Sequence, residues 1–271
     1  MNMKVQERRR ERADEVQALG KGLQILRAFT GDRQRLTLSE VAGLLGWSKP
    51  HTLRLLRTLV KYGFVEVDEA GRYHLGLFVL ELGSAYLATL RFPDMAEPFL
   101  TRLSRRTGET VNLAVRDGPE VVYVARVSAT PRLLETRLQV GSRLPAYATA
   151  LGKATLWDAR PEDLVEIFGP PPWPRFTPNT RVNEVQLFED IRAAHKLGVA
   201  VCEDELEFGI RSIAAPVRDE HGRVVAAMNM STNGAIVPYD RLIRELAPLL
   251  ITEAQAFSRA IGYRPQGKTG E

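Results

Sequence analysis

Between Ser48 and Lys61 the sequence SKPHTLRLLRTLVK carries a concentrated set of side-chain donors. On a helical wheel Leu53, Leu56, Leu59 and Val60 gather on one side and should face a core. His51, Arg54, Thr58 and Lys61 lie opposite, with Arg57 flanking. A basic, hydroxyl-bearing helix face suits base edges in a DNA major groove, where Arg meets O6 and N7 of guanine. The bland alternative is a solvated helix face. Other chemistry is hard to assemble. Of the four histidines only His195 and His221 lie outside residues 18–76, and neither neighbours a Gly-x-Ser-x-Gly nucleophile turn. Cys202, the single cysteine, has no identifiable base beside it and excludes both an intramolecular disulfide and a multi-thiolate zinc site. The acidic run Glu203, Asp204, Glu205 and Glu207 fits a solvated strand end as well as a metal. Gly20 and Gly22 around Lys21 make no phosphate loop. No enzyme, cofactor or metal is expected.

The elements that would position the basic face are legible. Leu19, Leu23, Leu26 and Phe29 repeat at helical spacing, and Gly31-Asp32 ends that helix. Thr37-Leu38-Ser39-Glu40 fits a capping box and starts a second helix burying Val41, Leu44 and Leu45, stopped at Gly46. Ser48 is a good N-cap for the third, which tolerates Pro50 in its first turn and ends near Tyr62, where Gly63 supplies a left-handed cap. Two helices around a tight Gly46-Trp47-Ser48 turn make a helix-turn-helix. The hairpin 64–67, 68–71, 72–75 adds a wing. In that arrangement the second helix enters the major groove. Ser39, Ser48 and Lys49 then sit at its rim, His51, Thr52 and Arg54 are positioned to read bases, Arg57 and Thr58 continue the face, and Arg72 reaches backbone or minor groove from the wing tip.

Charge agrees. Residues 1–72 hold 14 Lys and Arg against 9 Asp and Glu, whereas residues 73–271 hold 23 against 24, so the basic excess lies in the first quarter. Arg8, Arg9, Arg10 and Arg12 form a basic N-terminal arm over residues 1–17, either a solvated tail or a source of phosphate contacts. At 271 residues two unequal domains are expected, and 44% hydrophobic with 26% charged residues is ordinary for a soluble protein. No apolar run approaches the roughly 20 residues of a spanning helix, which points to the cytoplasm.

After a winged helix-turn-helix at 18–76, an apolar helix from Leu77 to about Leu90 reads as a linker (77–96) and is better covered by a second copy than by its small neighbour domain. Residues 97–262 alternate hairpins and helices: helix 97–107, strands 110–116 and 120–127, a strand 132–139, a helix from about Ala148, helices 161–168 and 183–197, strands 199–203, 211–217 and 223–231, and a terminal helix 238–262. Hairpins without strict strand–helix alternation predict an antiparallel-rich α+β domain, followed by a tail at 263–271.

Gly22-Leu23-x-Ile25-Leu26 followed by LTLSEVAGLLGWSKPHTLRLLRTLVKYGFVE resembles the DNA-binding domain of the IclR family of regulators. LPAYATALGKATL (144–156), Gly198, ELEFGIRSIAAPVRD (205–219) and VVAAMNMS (224–231) resemble its effector domain, so the likeness runs over about 18–262. It implies a GAF-like antiparallel-sheet effector domain, homodimers or dimers of dimers on a pseudo-palindromic operator, and control of small-molecule catabolism. VVYVARV (121–127) and LPAYAT (144–149) are similar to the branch answering to aromatic acids and ring-cleavage products such as protocatechuate, 4-hydroxybenzoate and β-ketoadipate. A non-aromatic pathway is the alternative. The resemblance implies an effector pocket of Leu133, Thr136, Leu144, Ala150, Leu151, Cys202, Ser212, Asn229 and Ser231. A helix start at 148–152 would offer free amides to a carboxylate, and the serines and Asn229 short polar groups over an apolar floor. Ala150 and Leu151 stand where members binding two-carbon acids have smaller residues, Cys202 replaces an acid and Ser212 a thiol, which favours a larger or flatter carboxylate.

Overall fold

A computed structural model describes residues 16–30, 32–90, 92–128 and 138–264. The chain divides into two compact units, Met1–Thr89 and Leu90–Glu271.

In the first unit α1 (Gln17–Ala28), α2 (Leu38–Leu45) and α3 (Lys49–Lys61) precede a two-stranded antiparallel wing, β1 (Val65–Val67) with β2 (Tyr73–Leu75). The capping box forms: Thr37 Oγ1 accepts from the Glu40 amide, and the Glu40 carboxylate accepts from the Thr37 amide. Gly46 ends α2 at φ 69°, a left-handed conformation that costs a Cβ-less residue nothing. Ser48 occupies the N-cap of α3 without a side-chain cap bond, contrary to expectation, so the turn rests on Pro50 and on the backbone. Gly63 takes φ 75°, and its carbonyl approaches Gly76 so closely that a Cβ there would lie 2.3 Å from it.

The core of this unit differs in detail from the helical-wheel reading. It comprises Ile25, Phe29, Leu36, Val41, Leu56 and Val65, flanked by Leu26, Leu45, Leu55, Leu59 and Tyr73. Leu19, Leu23, Leu44 and Val60, expected inside, are exposed. The apolar stripe of α3 is rotated toward Leu55 and Thr52, because Thr52 is small enough to lie against the core with its hydroxyl returned to the helix. A further helix, α4 (Phe78–Leu90), buries none of its 13 residues although it is strongly apolar, with Leu80, Leu82 and Tyr86 exposed.

The second unit is built on a six-stranded, wholly antiparallel sheet in the order β5-β4-β3-β8-β7-β6. Its strands are β3 (Thr110–Asp117), β4 (Glu120–Val127), β5 (Arg143–Pro145), β6 (Ala200–Glu203), β7 (Ile210–Arg218) and β8 (Val224–Asn233). The fold is therefore α+β. Of the strand expected at 132–139, residues 132–137 lie outside the described residues and Leu138 and Gln139 are not in a strand; β5 begins at Arg143 instead. Helix α5 (Pro93–Thr107) and the terminal α9 (Ala247–Ala260), reached through a π-helical Leu242–Leu246, pack on the sheet and on each other. Also packed on the sheet is α6 (Ala150–Thr155), behind which lie α7 (Pro161–Phe168) and α8 (Glu184–Leu197). Alternation within β3 gives Val111, Leu113 and Val115 to one face and Asn112 and Ala114 to the other. Ala114 shares a core with Ala150, Leu151, Cys202, Ala214 and Ala227, which assigns that second face to α6.

Candidate functional site

Two surfaces combine chemistry-bearing side chains, one on each unit. On α3 the structure exposes Lys49, Arg54, Arg57 and Thr58, with Ser48 at its start and Ser39 on the first turn of α2 also exposed. Their elements follow from the capping box and from the tight turn at Gly46. Two of the predicted base readers behave differently. Thr52 is wholly buried, its Oγ1 donating to the Ser48 carbonyl at 3.1 Å, so it belongs to the core and cannot meet a base. His51 is half-buried edge-on to Trp47, and its Nε2 is enclosed without a partner rather than presented outward. Lys21 stands over the same Trp47 ring, 5.7 Å from its centroid.

On the wing Asp68 is an organiser that residue typing had not singled out. It accepts from the amides of Ala70 and Arg72 and from the guanidinium groups of Arg35 and Arg72. The Arg72 amide above all, with both guanidinium groups, holds the Asp68 carboxyl well below the usual range, against the opposing pull of desolvation. Arg72 is thus fixed at the wing with Arg35 beside it. Arg35 escaped the sequence reading because its partner is 33 residues away.

On the second unit the register aligns the expected polar residues in two adjacent rows. Cys202 pairs with Ser212, and Ser212 with Ser231; two residues along the same strands Ala200, Ala214, Asn229 and Asn112 form the next row. Both rows share the face covered by α6. Asn229 and Ser212 are buried and Ser231 half-buried, while Ala150 and Leu151 are enclosed and Leu144 packs at the margin, paired with Val121. Leu133 and Thr136 lie outside the described residues.

The expected cradle of free amides at the start of α6 needs correction. Thr149 caps that six-residue helix and takes the Gly152 amide at 3.0 Å. A Cβ on Gly152 would come within 1.9 Å of the Ala146 carbonyl oxygen, so the turn before the helix is closed by backbone contact. Cys202 donates its thiol to the Ala148 carbonyl, and burial together with the nearby Glu205 carboxylate pushes that thiol up to about 12, which makes it a small inert wall rather than a nucleophile.

Sequence reasoning missed two groups here. Asn112 is completely buried; its Nδ2 donates to Asn229 Oδ1 at 2.8 Å and its Oδ1 accepts from Arg126 at 3.0 Å. An Asn in the apolar strand TVNLAV was the available signal, since a buried amide must be partnered. Beneath α6, Lys153 is also buried, held between Asp190 on α8 and Glu205 after β6. Burial alone would lower the ammonium, yet Glu205 and Asp190 raise it. Asp190, shared with Arg181, is drawn down by both cations against its own desolvation, whereas deeper burial leaves Glu205 raised in spite of Lys153. The cluster ties α6 to α8 and β6.

Comparison with known proteins places both surfaces in context. Residues 18–69 match the IclR helix-turn-helix domain model and residues 84–259 the model for the bacterial transcriptional regulator IclR C-terminal domain. The chain is 34% identical over 243 residues to the Pca regulon regulatory protein of Pseudomonas putida, covering 89% of this chain and 83% of that one. A transcriptional regulator from Rhodococcus sp. RHA1 has a similar structure, at TM-score 0.78 and 36% identity over 91% of this chain and 98% of its own. An IclR homologue from Microbacterium hydrocarbonoxydans, complexed with 4-hydroxybenzoate, matches at TM-score 0.72 and 27% identity, covering 88% and 99% respectively.

Proposed function

The chain belongs to the IclR family of bacterial transcriptional regulators, and from that premise we propose that it couples operator binding to an aromatic carboxylate effector. It is an IclR-type DNA-binding regulator with an effector domain. The observation carrying the finer reading is the double row of Cys202, Ser212, Ser231 and Asn229 on one sheet face, small polar groups over an apolar floor. A relative governing the Pca regulon and another complexed with 4-hydroxybenzoate support an aromatic acid. The protein is read as a cytoplasmic, non-catalytic regulator. Two facts support this: its relatives are regulators, and among the described residues no helix is long and apolar enough to cross a membrane.

On the DNA side, Ser39, Ser48, Lys49, Arg54, Arg57, Thr58 and Arg72 form the proposed contact set of a domain spanning 18–76, and His51 contributes through whatever its ring leaves outward. The exposed apolar residues of α4, in a linker at 77–96, are proposed to join two copies, presenting paired recognition helices to a pseudo-palindromic operator. The effector domain, 97–262, then shifts operator affinity by the difference between its affinities for two arrangements, about 1–3 kcal/mol.

Thermal unfolding with 4-hydroxybenzoate, protocatechuate and short-chain carboxylates tests the reading. A ligand specific for the folded protein at 100 times its Kd adds about 2.7 kcal/mol. Stabilisation by aromatic acids, together with release from or recruitment to operator DNA, is expected. No response to any aromatic acid would overturn the aromatic assignment.

A further inference from the structure

Strict alternation in β4 would set Tyr123 and Arg126 on opposite faces, since they are three residues apart. The pairing with β3 breaks that rule. Leu113 pairs with Ala125 but the next residue, Ala114, pairs with Tyr123, so Val124 is an extra residue and β4 carries a bulge. Beyond it Arg126 pairs with Asn112 and lies with it on the face covered by α6. A guanidinium has N–H donors and no acceptor, so what it meets in an asparagine must be the oxygen. Arg126 Nη1 donates to Asn112 Oδ1 at 3.0 Å. Arg126 has a further partner besides Asn112, so what it supplies here is a direction, not a free charge.

That direction passes from strand to strand. With its oxygen turned to Arg126, Asn112 faces β8 with its nitrogen, and Nδ2 donates to Asn229 Oδ1 at 2.8 Å. Asn112 is completely buried, so no water competes for either end of its amide. Asn229 is turned in the same sense. Its Nδ2 donates to Ser231 Oγ at 3.4 Å, the longest link of the three. Ser231 therefore accepts along the chain, and among the described residues nothing takes its own proton. Its register partner Ser212 is only 6% exposed, yet among the described residues the Ser212 hydroxyl makes no hydrogen bond. Buried hydroxyls are ordinarily bonded, so these two serines have bonding capacity left for a ligand. The one at the end of the chain is set to donate.

We propose that Asn112 is the positioning residue that sets the polarity of this face, so that Ser231 offers a donor and selects an effector oxygen bearing no proton. A carboxylate or a carbonyl presents such an oxygen. This rests on the reading of the sheet face as the effector site and names the chemistry selected there.

Titration calorimetry of the full-length protein with 4-hydroxybenzoate, protocatechuate, pyruvate, 4-hydroxybenzaldehyde and 4-hydroxybenzamidine tests it. The aldehyde is neutral and only accepts at its carbonyl, whereas the amidinium only donates. Asn112→Asp keeps the shape but accepts from Arg126 and Asn229 alike, so the Asn229 amide and the Ser231 hydroxyl both reverse. The aldehyde and the acids that bind should weaken at least tenfold, while the amidine does not weaken and effector-free operator binding persists. Loss of the neutral aldehyde separates polarity from the added charge. Asn112→Ala, which removes the link without adding charge, should weaken the aldehyde and acids severalfold and spare the amidine. It serves alone if the Asp variant does not fold, or if the acids bind and the aldehyde does not. Unchanged aldehyde and acid affinities in both variants overturn the role of Asn112 and leave the regulator reading standing. Equal weakening of acceptor ligands and amidine does the same, since it marks a merely structural residue. If pyruvate binds in an Asn112-dependent way and the aromatics do not, Asn112 is upheld and the aromatic assignment falls. If no probe binds the unaltered protein, both fall.

Discussion

Lys153 Nζ lies 2.5 Å from Glu205 Oε1 and 2.6 Å from Asp190 Oδ2, and its side chain is 1% exposed. Breaking a buried pair leaves an uncompensated charge, which costs far more than the pair itself contributes. Lys153→Met would leave Glu205 under α6 without its buried cation, while Asp190 keeps Arg181. The expected loss is about 3–5 kcal/mol of unfolding free energy in urea at neutral pH. In the variant the buried Glu205 prefers to be protonated when folded, so the deficit should shrink as pH falls toward about 4, the unfolded carboxyl range. A deficit under about 1 kcal/mol at pH 7 would show that α6 does not depend on this cluster.

Cys202 predicts a pH dependence of opposite origin. Its thiol is raised to about 12 by burial and then by Glu205, so the folded state keeps the proton after the unfolded chain has lost it. Stability from this group is present below the unfolded value, near about 8.5, and declines as pH rises toward the folded one. The decline approaches about 1.4 kcal/mol per pH unit. Cys202→Ser removes the titration, so the stability difference between the two proteins should narrow or reverse between pH 9 and 11. Parallel stability curves over that range would contradict the buried thiol.

The limits of what the sequence disclosed have physical causes. The capping box at Thr37 and Glu40, the left-handed Gly63 and the order of elements were readable because each depends on neighbours within a few residues. The rotation of α3 was not, because an all-apolar wheel gives no reason to prefer Leu55 over Leu53 or to bury Thr52. Likewise the placing of Arg126 on the sheet face covered by α6 could not be read, since a bulge moves a side chain across the sheet without a mark in the sequence. The family likeness pointed to Ser212, Asn229 and Ser231, which the register sets on one sheet face, while Asn112, bonded to both Asn229 and Arg126, required the register to be seen.

Leu80 is 67% exposed on α4, in a helix that buries nothing within its own chain. A lone substitution at such a site costs a single chain little, usually within about 0.5 kcal/mol. Leu80→Glu should therefore leave the fold intact while weakening self-association at least tenfold in sedimentation equilibrium, and operator affinity should fall with it. Unaltered dimerisation would move the seam away from α4.

Arg54 and Thr52, two residues apart on α3, separate a proposed base reader from a core residue. Arg54 is exposed on the outer face, whereas Thr52 is fully enclosed and bonded to Ser48. Arg54→Ala should cost roughly 1–3 kcal/mol of operator affinity and relax the preference at one base-pair position in each half-site, because a bidentate contact discriminates between bases by that amount. Thr52→Val keeps the volume and removes one hydrogen bond, so about 1 kcal/mol of stability should be lost with no change in base preference. Binding of a randomised operator library by the two variants distinguishes the roles, at fixed salt since phosphate contacts alone shift affinity with ionic strength. If Thr52→Val altered sequence preference and Arg54→Ala did not, the outer face of α3 would be assigned to the wrong side of the helix.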